Sequence, residues 1–259
     1  MSGLRRDGYE LEFEDTFEGE SLDRGRWLPW HLPQWSSRAA AAARYALGGG
    51  ALRLRIEAGQ PPWCPEFDGG TKVSSLQTGV FAGPLGGAVG QHRFTPAAVV
   101  REAQAPTRLY TPHYGLIETR LKALDDPGCM VALWMIGYED RPERSGEICV
   151  CEIFGRDVTP AAAGVGMGVH PFGDPALRDD FGRERLAFDA REFHTYAAEW
   201  TPGRVAFYAD ETLVKVVDQA PDYPMQLMLG IYEFPDQAEG ALPYPKEFVV
   251  DWVRGWRRT

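Results

Sequence analysis

The chain has 259 residues, 44% of them hydrophobic, which supplies a sizeable core and excludes a disordered polymer. Its formal net charge is -10, from 27 basic and 37 acidic residues with no basic stripe, so nucleic acid and anionic membrane are disfavoured as partners. No segment approaches the ~18 consecutive apolar residues that a membrane helix needs.

In chain order, the opening "MSGLRRDGYELEF" lacks the apolar centre of a signal peptide. The compartment is therefore open between an intracellular chain and one whose leader has been removed. "YELEFEDTF" alternates with period two and places Tyr9, Leu11 and Phe13 on one side of a strand. "RAAAAARYAL", Arg38 to Leu47, has helix-forming composition but runs into three glycines, and reads as a short helix or a loop. "ALRLRIEAG" alternates again through Leu52, Leu54 and Ile56. Phe81 to Pro106 is the longest weakly patterned stretch and reads as a long loop, a place where function is often carried.

"CMVALWMIG" and "MQLMLGIYEF" are nearly continuous apolar runs, as expected of central strands. "PALRDDFGRERLAF" has room for one helical turn, with Asp179 and Asp180 read as solvated charges. "RVAFYADETLVKVVD" reads as a hairpin turning at Asp210-Glu211. "EFVVDWVRGW" gives Phe248, Val250 and Trp252 one face of a strand, and Val249 and Val253 the other. Many strands, few helices and no linker predict one antiparallel β-sandwich over residues 1–259.

Four cysteines are present: Cys64, Cys129, Cys149 and Cys151. The last two are too close along one strand to bridge, and "CVC" is not a zinc spacing. Four reduced thiols are expected. The aromatic supply is rich, and its default use is core filling. Trp27, Trp30, Trp35 and Trp63 stand in irregular, proline-containing segments, which raises a sugar-stacking role for them.

The chemistry centres on "SGEICVCEIFG", Ser145 to Gly155. Glu147 and Glu152 are five residues apart, and in a regular strand an odd separation puts them on opposite faces. Glu152 would then enter an apolar face at a cost of several kcal/mol. One extra residue around Val150-Cys151 changes this. Glu147, Cys149, Glu152 and Phe154 then share one face, and the isoleucines share the other. A β-bulge does that, and bulges are favoured beside active sites. Two carboxylates on one wall, ~5–5.5 Å apart, are what glycosidic cleavage with retention requires.

"GEICVCEIFG" resembles the glycoside hydrolase family 16 signature, Glu-x-Asp-x-x-Glu on a bulged strand. "YELEFEDTFEGESLDRGRW", "YGLIETRLKA", "VALWMIG" and "FHTYAAEWTPGRVAFYAD" resemble other strands of that family in the expected order. The resemblance implies an all-β, concanavalin A-like jelly-roll sandwich with a sugar groove. It makes Glu147 the nucleophile and Glu152 the acid/base, and assigns sugar contacts to Trp134, His170, His194 and Trp200. The bulged form suggests an endo-acting β-glucanase, with β-1,3-glucan favoured.

The central Asp of the motif is Cys149 here, and a neutral thiol is a weak donor. Glu147 is therefore expected to be less well oriented, with an altered coupled titration. A non-catalytic sugar-binding protein and a transglycosylase remain open as alternatives. Cys149 as nucleophile has no adjacent His to support it. The expected partner is a polysaccharide or oligosaccharide, met by a monomer. No redox or nucleotide cofactor and no metal ligand set is indicated, although some relatives carry a structural calcium.

Overall fold

The structure, a computed structural model, describes residues 3–237 and 240–259. In chain order its strands are β1 (Tyr9–Asp15), β2 (Tyr45–Leu47), β3 (Leu52–Ile56), β4 (Lys72–Gln77), β5 (Gly79–Val80) and β6 (Thr107–Arg108). Then follow β7 (Gly115–Lys122), β8 (Cys129–Gly137), β9 (Glu147–Phe154), β10 (Val158–Thr159), β11 (Ala162–His170) and β12 (Asp180–Leu186). The chain closes with β13 (His194–Thr201), β14 (Arg204–Ala209), β15 (Thr212–Val217), β16 (Met225–Glu233) and β17 (Lys246–Arg258).

All but β5 and β6, which pair with each other, form the two-sheet antiparallel jelly-roll sandwich expected from the sequence. One sheet has the order β15-β14-β13-β7-β17-β3-β2, with β1 also paired to β17. The other has the order β10-β11-β9-β8-β16-β4, with β12 also paired to β11. β8 and β16 pair with each other at the centre of this second sheet, where their apolar runs are covered on both faces.

The main core lies between the sheets. Leu54, Ile117, Phe207, Phe248 and Val250 meet Leu133, Ile148, Met167 and Leu229 there, each almost fully withdrawn from water. The other face of the second sheet is also largely apolar, with Ala132, Trp134, Ile136, Met228 and Tyr232. Loop residues Leu32, Trp35, Trp63 and Val100 pack onto it. These loops cover the sheet incompletely, and the gap between them is a cleft.

The hairpin turns at Asp210-Glu211, with both residues in the left-handed region (φ 44° and 63°), as a two-residue hairpin loop requires. Other local readings are corrected. Arg38 to Ala41 form a turn, and the chain then extends into β2. The expected helical turn in "PALRDDFGRERLAF" is instead the edge strand β12, held by its ladder to β11. In β17, a register shift between Val250 and Trp252 sends Val253 to the core with Phe248 and Val250, and leaves Trp252 partly exposed. A similar shift between Leu11 and Phe13 separates those two residues, and Leu11 is exposed. Among the four indoles in irregular segments, Trp27 and Trp35 are fully buried, donating to Asp15 and to the Gln91 carbonyl. Arginines 24 and 38 stack on Trp30.

Candidate active site

The second sheet carries the two glutamates. On β8, Leu133 pairs with Cys151 and Trp134 with Cys149, so Val150 is the extra residue. On β11, Gly166 pairs with Glu152 and Gly168 with Cys149, so Met167 alone faces Val150 and Cys151. This is the bulge that segregation of polar and apolar residues predicts. Ile148, Val150, Cys151 and Ile153 all enter the core. Glu147, Cys149 and Glu152 face the cleft, whose volume is ≈ 300 Å³. The fold keeps the neighbouring position small. A Cβ on Gly166 would lie 2.5 Å from the Phe181 ring and 3.2 Å from the Glu152 Cβ, so glycine lets β11 pass close beside the acid.

Burial raises both carboxyls. Glu147 is pushed up to about 8, first by loss of solvent and then by the charge of Glu152. Glu152 is also raised by burial, but Arg183 and His170 oppose the rise. Arg183 reaches to 3.7 Å from a Glu152 oxygen. The thiol of Cys149 lies 3.7 Å from the Gly166 carbonyl, its acceptor. Burial, Glu147 and Glu152 all hold it protonated.

Trp134 lines the cleft, and its indole N–H donates to the Tyr232 hydroxyl at 3.0 Å. His170 lines it as well, beside Glu147 in the β-ladder. Its Nδ1 is 2.8 Å from Asp179 Oδ1, a pairing that suits a proton on Nδ1 donated to the carboxylate. Asp179, read from sequence as a solvated charge, therefore orients this ring.

The other two expected sugar contacts are corrected. His194 lies on β13 in the opposite sheet, stacked on Phe188 at 3.8 Å, with its nitrogens against Asp210 and the Asp189 carbonyl. Trp200, on the same strand, is fully buried in the main core and donates to the Pro221 carbonyl at 3.0 Å. Both are structural.

Sequence reasoning missed His31, His92, Phe94 and Phe172, which reach the cleft from irregular segments. Trp63, flagged only by its irregular context, also lines the cleft and donates to Asp68. His31 stands edge-on to Trp63 and His92 edge-on to Trp134. Burial keeps both imidazoles neutral, lowering them to about 3 and about 4. Isolated histidines in unpatterned loops carry no spacing signal that would have marked them. Among the described residues, no group of three or more His, Cys, Asp or Glu is disposed to hold a metal ion.

The model of glycosyl hydrolases family 16 matches residues 107–254, more than half of the chain. The chain belongs to glycosyl hydrolases family 16. Within that family setting, a GlcNAcα1-4Gal releasing endo-β-galactosidase from Clostridium perfringens is similar at 29% identity and a TM-score of 0.86, over 100% of this chain and 65% of that one. The catalytic domain of an endo-1,3-β-glucanase (laminarinase) from Thermotoga petrophila shares the fold at 17% identity and a TM-score of 0.68, over 97% and 98%. A probable xyloglucan endotransglucosylase/hydrolase of Arabidopsis thaliana is 27% identical over 150 residues. That match takes in 54% of this chain and 51% of the plant protein, so the chain spans about half the length of this curated relative.

Proposed function

We propose that this family 16 chain is a retaining endo-glycosidase that cleaves an internal β-linkage of a glycan. The observation that carries the reading is the Val150 bulge, which brings Glu147 and Glu152 to one cleft. In the proposed reaction the Glu147 carboxylate attacks the anomeric carbon while Glu152 gives its proton to the departing glycosidic oxygen. Glu152 then takes a proton from water, the water oxygen attacks the same carbon, and Glu147 is released. Trp134 and His170 hold the ring beside this pair.

Productive binding needs Glu147 ionised and Glu152 protonated. The free cleft favours the reverse, since Arg183 and His170 oppose only the rise of Glu152. Without an acidic group at position 149, nothing donates strongly to the Glu147 carboxylate. With the protons in that order the singly protonated pair is the reactive form, so the alkaline limb of kcat/KM is expected near the value of about 8 to which burial pushes Glu147, where the pair loses its last proton.

For the substrate, the reading favoured here is a β-galactosidic linkage. It rests on the similarity to the Clostridium endo-β-galactosidase, which extends over the whole of this chain. The bulged motif also supports the β-1,3-glucan reading drawn from sequence. Reducing-end release from galactan-type glycans, laminarin, agar and carrageenan separates the two. Glu147→Gln and Glu152→Gln run beside the wild type, and each is expected to lose at least ~100-fold of kcat. Saccharide binding without turnover, unchanged in both variants, would instead support a binding protein. Lengthened products at high acceptor concentration would support a transglycosylase.

A further inference from the structure

Beyond Glu152, at the outer edge of the second sheet, lies a separate cavity of ≈ 320 Å³. Two neighbouring strands shape it. On β12, alternation puts Phe181, Arg183 and Arg185 on one face, and Phe181 stacks on His170 of the cleft at 4.6 Å. On β11, the residues paired with Arg183 and Arg185 are Gly166 and Gly164. A Cβ on Gly164 would stand 3.2 Å from the Asp157 Cβ, so a larger residue there would fill the space. The result is a trough floored by bare backbone. Arg183 and Arg185 form one wall, and Asp157 stands on the other side of the glycines. Phe154 links trough to cleft, because it lies under Arg183 and stacks on Phe234, which lines the cleft.

This trough is cationic in a chain whose formal net charge is -10. Arg156, Arg183 and Arg185 line it, and Asp157 is its one acidic lining residue. Arg183 stands 3.7 Å from both the Glu152 and the Asp157 carboxyl, too far for a hydrogen bond to either. Arg156 donates to the Gln237 side chain. Arg156 and Arg183 both lie over the Phe154 ring, 4.1 and 4.6 Å from its centre, so two like charges are held close together on one aromatic support. Guanidinium forks with unspent donors match the paired oxygens of a sulfate or a carboxylate. The field of the whole molecule repels anions, so the trough is a local exception to it.

We propose that this trough is a subsite for an anionic substituent, a sulfate ester or a uronate carboxylate, on a sugar of the glycan that occupies the cleft. Arg183 and Arg185 present N–H groups to its oxygens, Arg156 adds charge from the Phe154 side, and the glycine floor leaves room for the group. This deepens the glycosidase reading and rests on it only for the presence of the glycan chain in the cleft.

The test reads binding without turnover. The full chain is titrated at constant ionic strength with glucose 6-sulfate, methyl β-glucuronide and methyl β-glucoside, and the arginine Nε–H signals are followed by NMR. At least one anionic sugar should bind about tenfold or more tightly than the neutral one, the scale of a charged hydrogen bond, and should shift the Arg183 and Arg185 signals. Preference for the sulfate marks a sulfate ester as the natural group, and preference for the glucuronide marks a uronate. Arg185→Gln, an exposed substitution, should weaken the anionic sugar about tenfold, whereas Arg204→Gln on β14 in the other sheet should not. Equal binding of all three sugars, or an anion preference that survives in folded Arg185→Gln, overturns the proposal. A chain that shows the preference but cleaves no glycan would overturn the glycosidase reading and leave the subsite standing.

Discussion

Cys149 sits between the two glutamates, yet its thiol lies against the Gly166 carbonyl, 3.7 Å away. An aspartic acid there would donate a charge-assisted hydrogen bond to the Glu147 carboxylate, an interaction worth ~1.5–3 kcal/mol. Cys149→Asp is therefore expected to move the alkaline limb of kcat/KM down by about one to two pH units. A pH–rate profile of the two proteins checks it, and an unmoved limb would remove Cys149 from the account. Glu152 has its own signature. Glu152→Gln should lose far more rate on a glycoside with a poor leaving group than on a dinitrophenyl glycoside, which departs without a proton. Equal losses on both would deny Glu152 the acid role.

At this scale the sequence was legible where residue type and spacing met. The two carboxyls, the cysteine and the cleft positions of Trp134 and His170 were readable before the fold. His194 and Trp200 were not, because alternation tells which residues share a face but not which sheet a strand joins. His31 and His92 come from loops whose path depends on the whole sandwich.

Among the elements, β9 carries the argument. Val150 is the unpaired residue, and Leu133 and Trp134 on β8 are already consecutive across from Cys151 and Cys149. Deleting Val150 would make the ladder regular on both sides while leaving Glu147 and Glu152 an even number of positions apart. The variant is expected to fold with both acids still in the cleft. It should lose roughly 1.5–3 kcal/mol with the buried valine side chain. Denaturant unfolding with an activity assay checks this. A folded variant with Glu152 buried in the core would show that the bulge is not what sets its facing. The same device shows why sequence reading succeeded here and failed in β17. In β9 a misplaced glutamate exposes the bulge through its cost, whereas in β17 the shift exchanges Trp252 for Val253 and both alternatives are apolar.

For the whole molecule, the cleft makes stability depend on pH in two directions. Glu147 and Glu139 are both raised to about 8, so the folded state binds protons that the unfolded chain has released. Their contribution is complete below about 4.5 and is lost as pH rises towards 8. His31 and His92 are lowered to about 3 and about 4, so their contribution is lost as pH falls from 6.5 through those values. Between about 4.5 and 6.5 the two pairs oppose each other. Stability should be nearly flat there and fall on both sides. The alkaline fall should reach at most roughly 2–3 kcal/mol per pH unit, from two groups. Urea unfolding across pH 4–9 reads the profile, and Glu147→Gln should make its alkaline side shallower. An unchanged alkaline slope would mean that Glu147 is already ionised in the fold.

The central claim, that the bulge makes Glu147 a nucleophile facing its acid partner, has one direct test. A 2-deoxy-2-fluoro glycoside of the cleaved sugar, carrying an activated leaving group, should stall after the first step. Mass spectrometry of the digested protein is then predicted to find the fluorosugar on the peptide containing Glu147, attached at that residue. No adduct at all from a glycoside that the protein otherwise turns over, or an adduct on Cys149 or Glu152, would contradict the account.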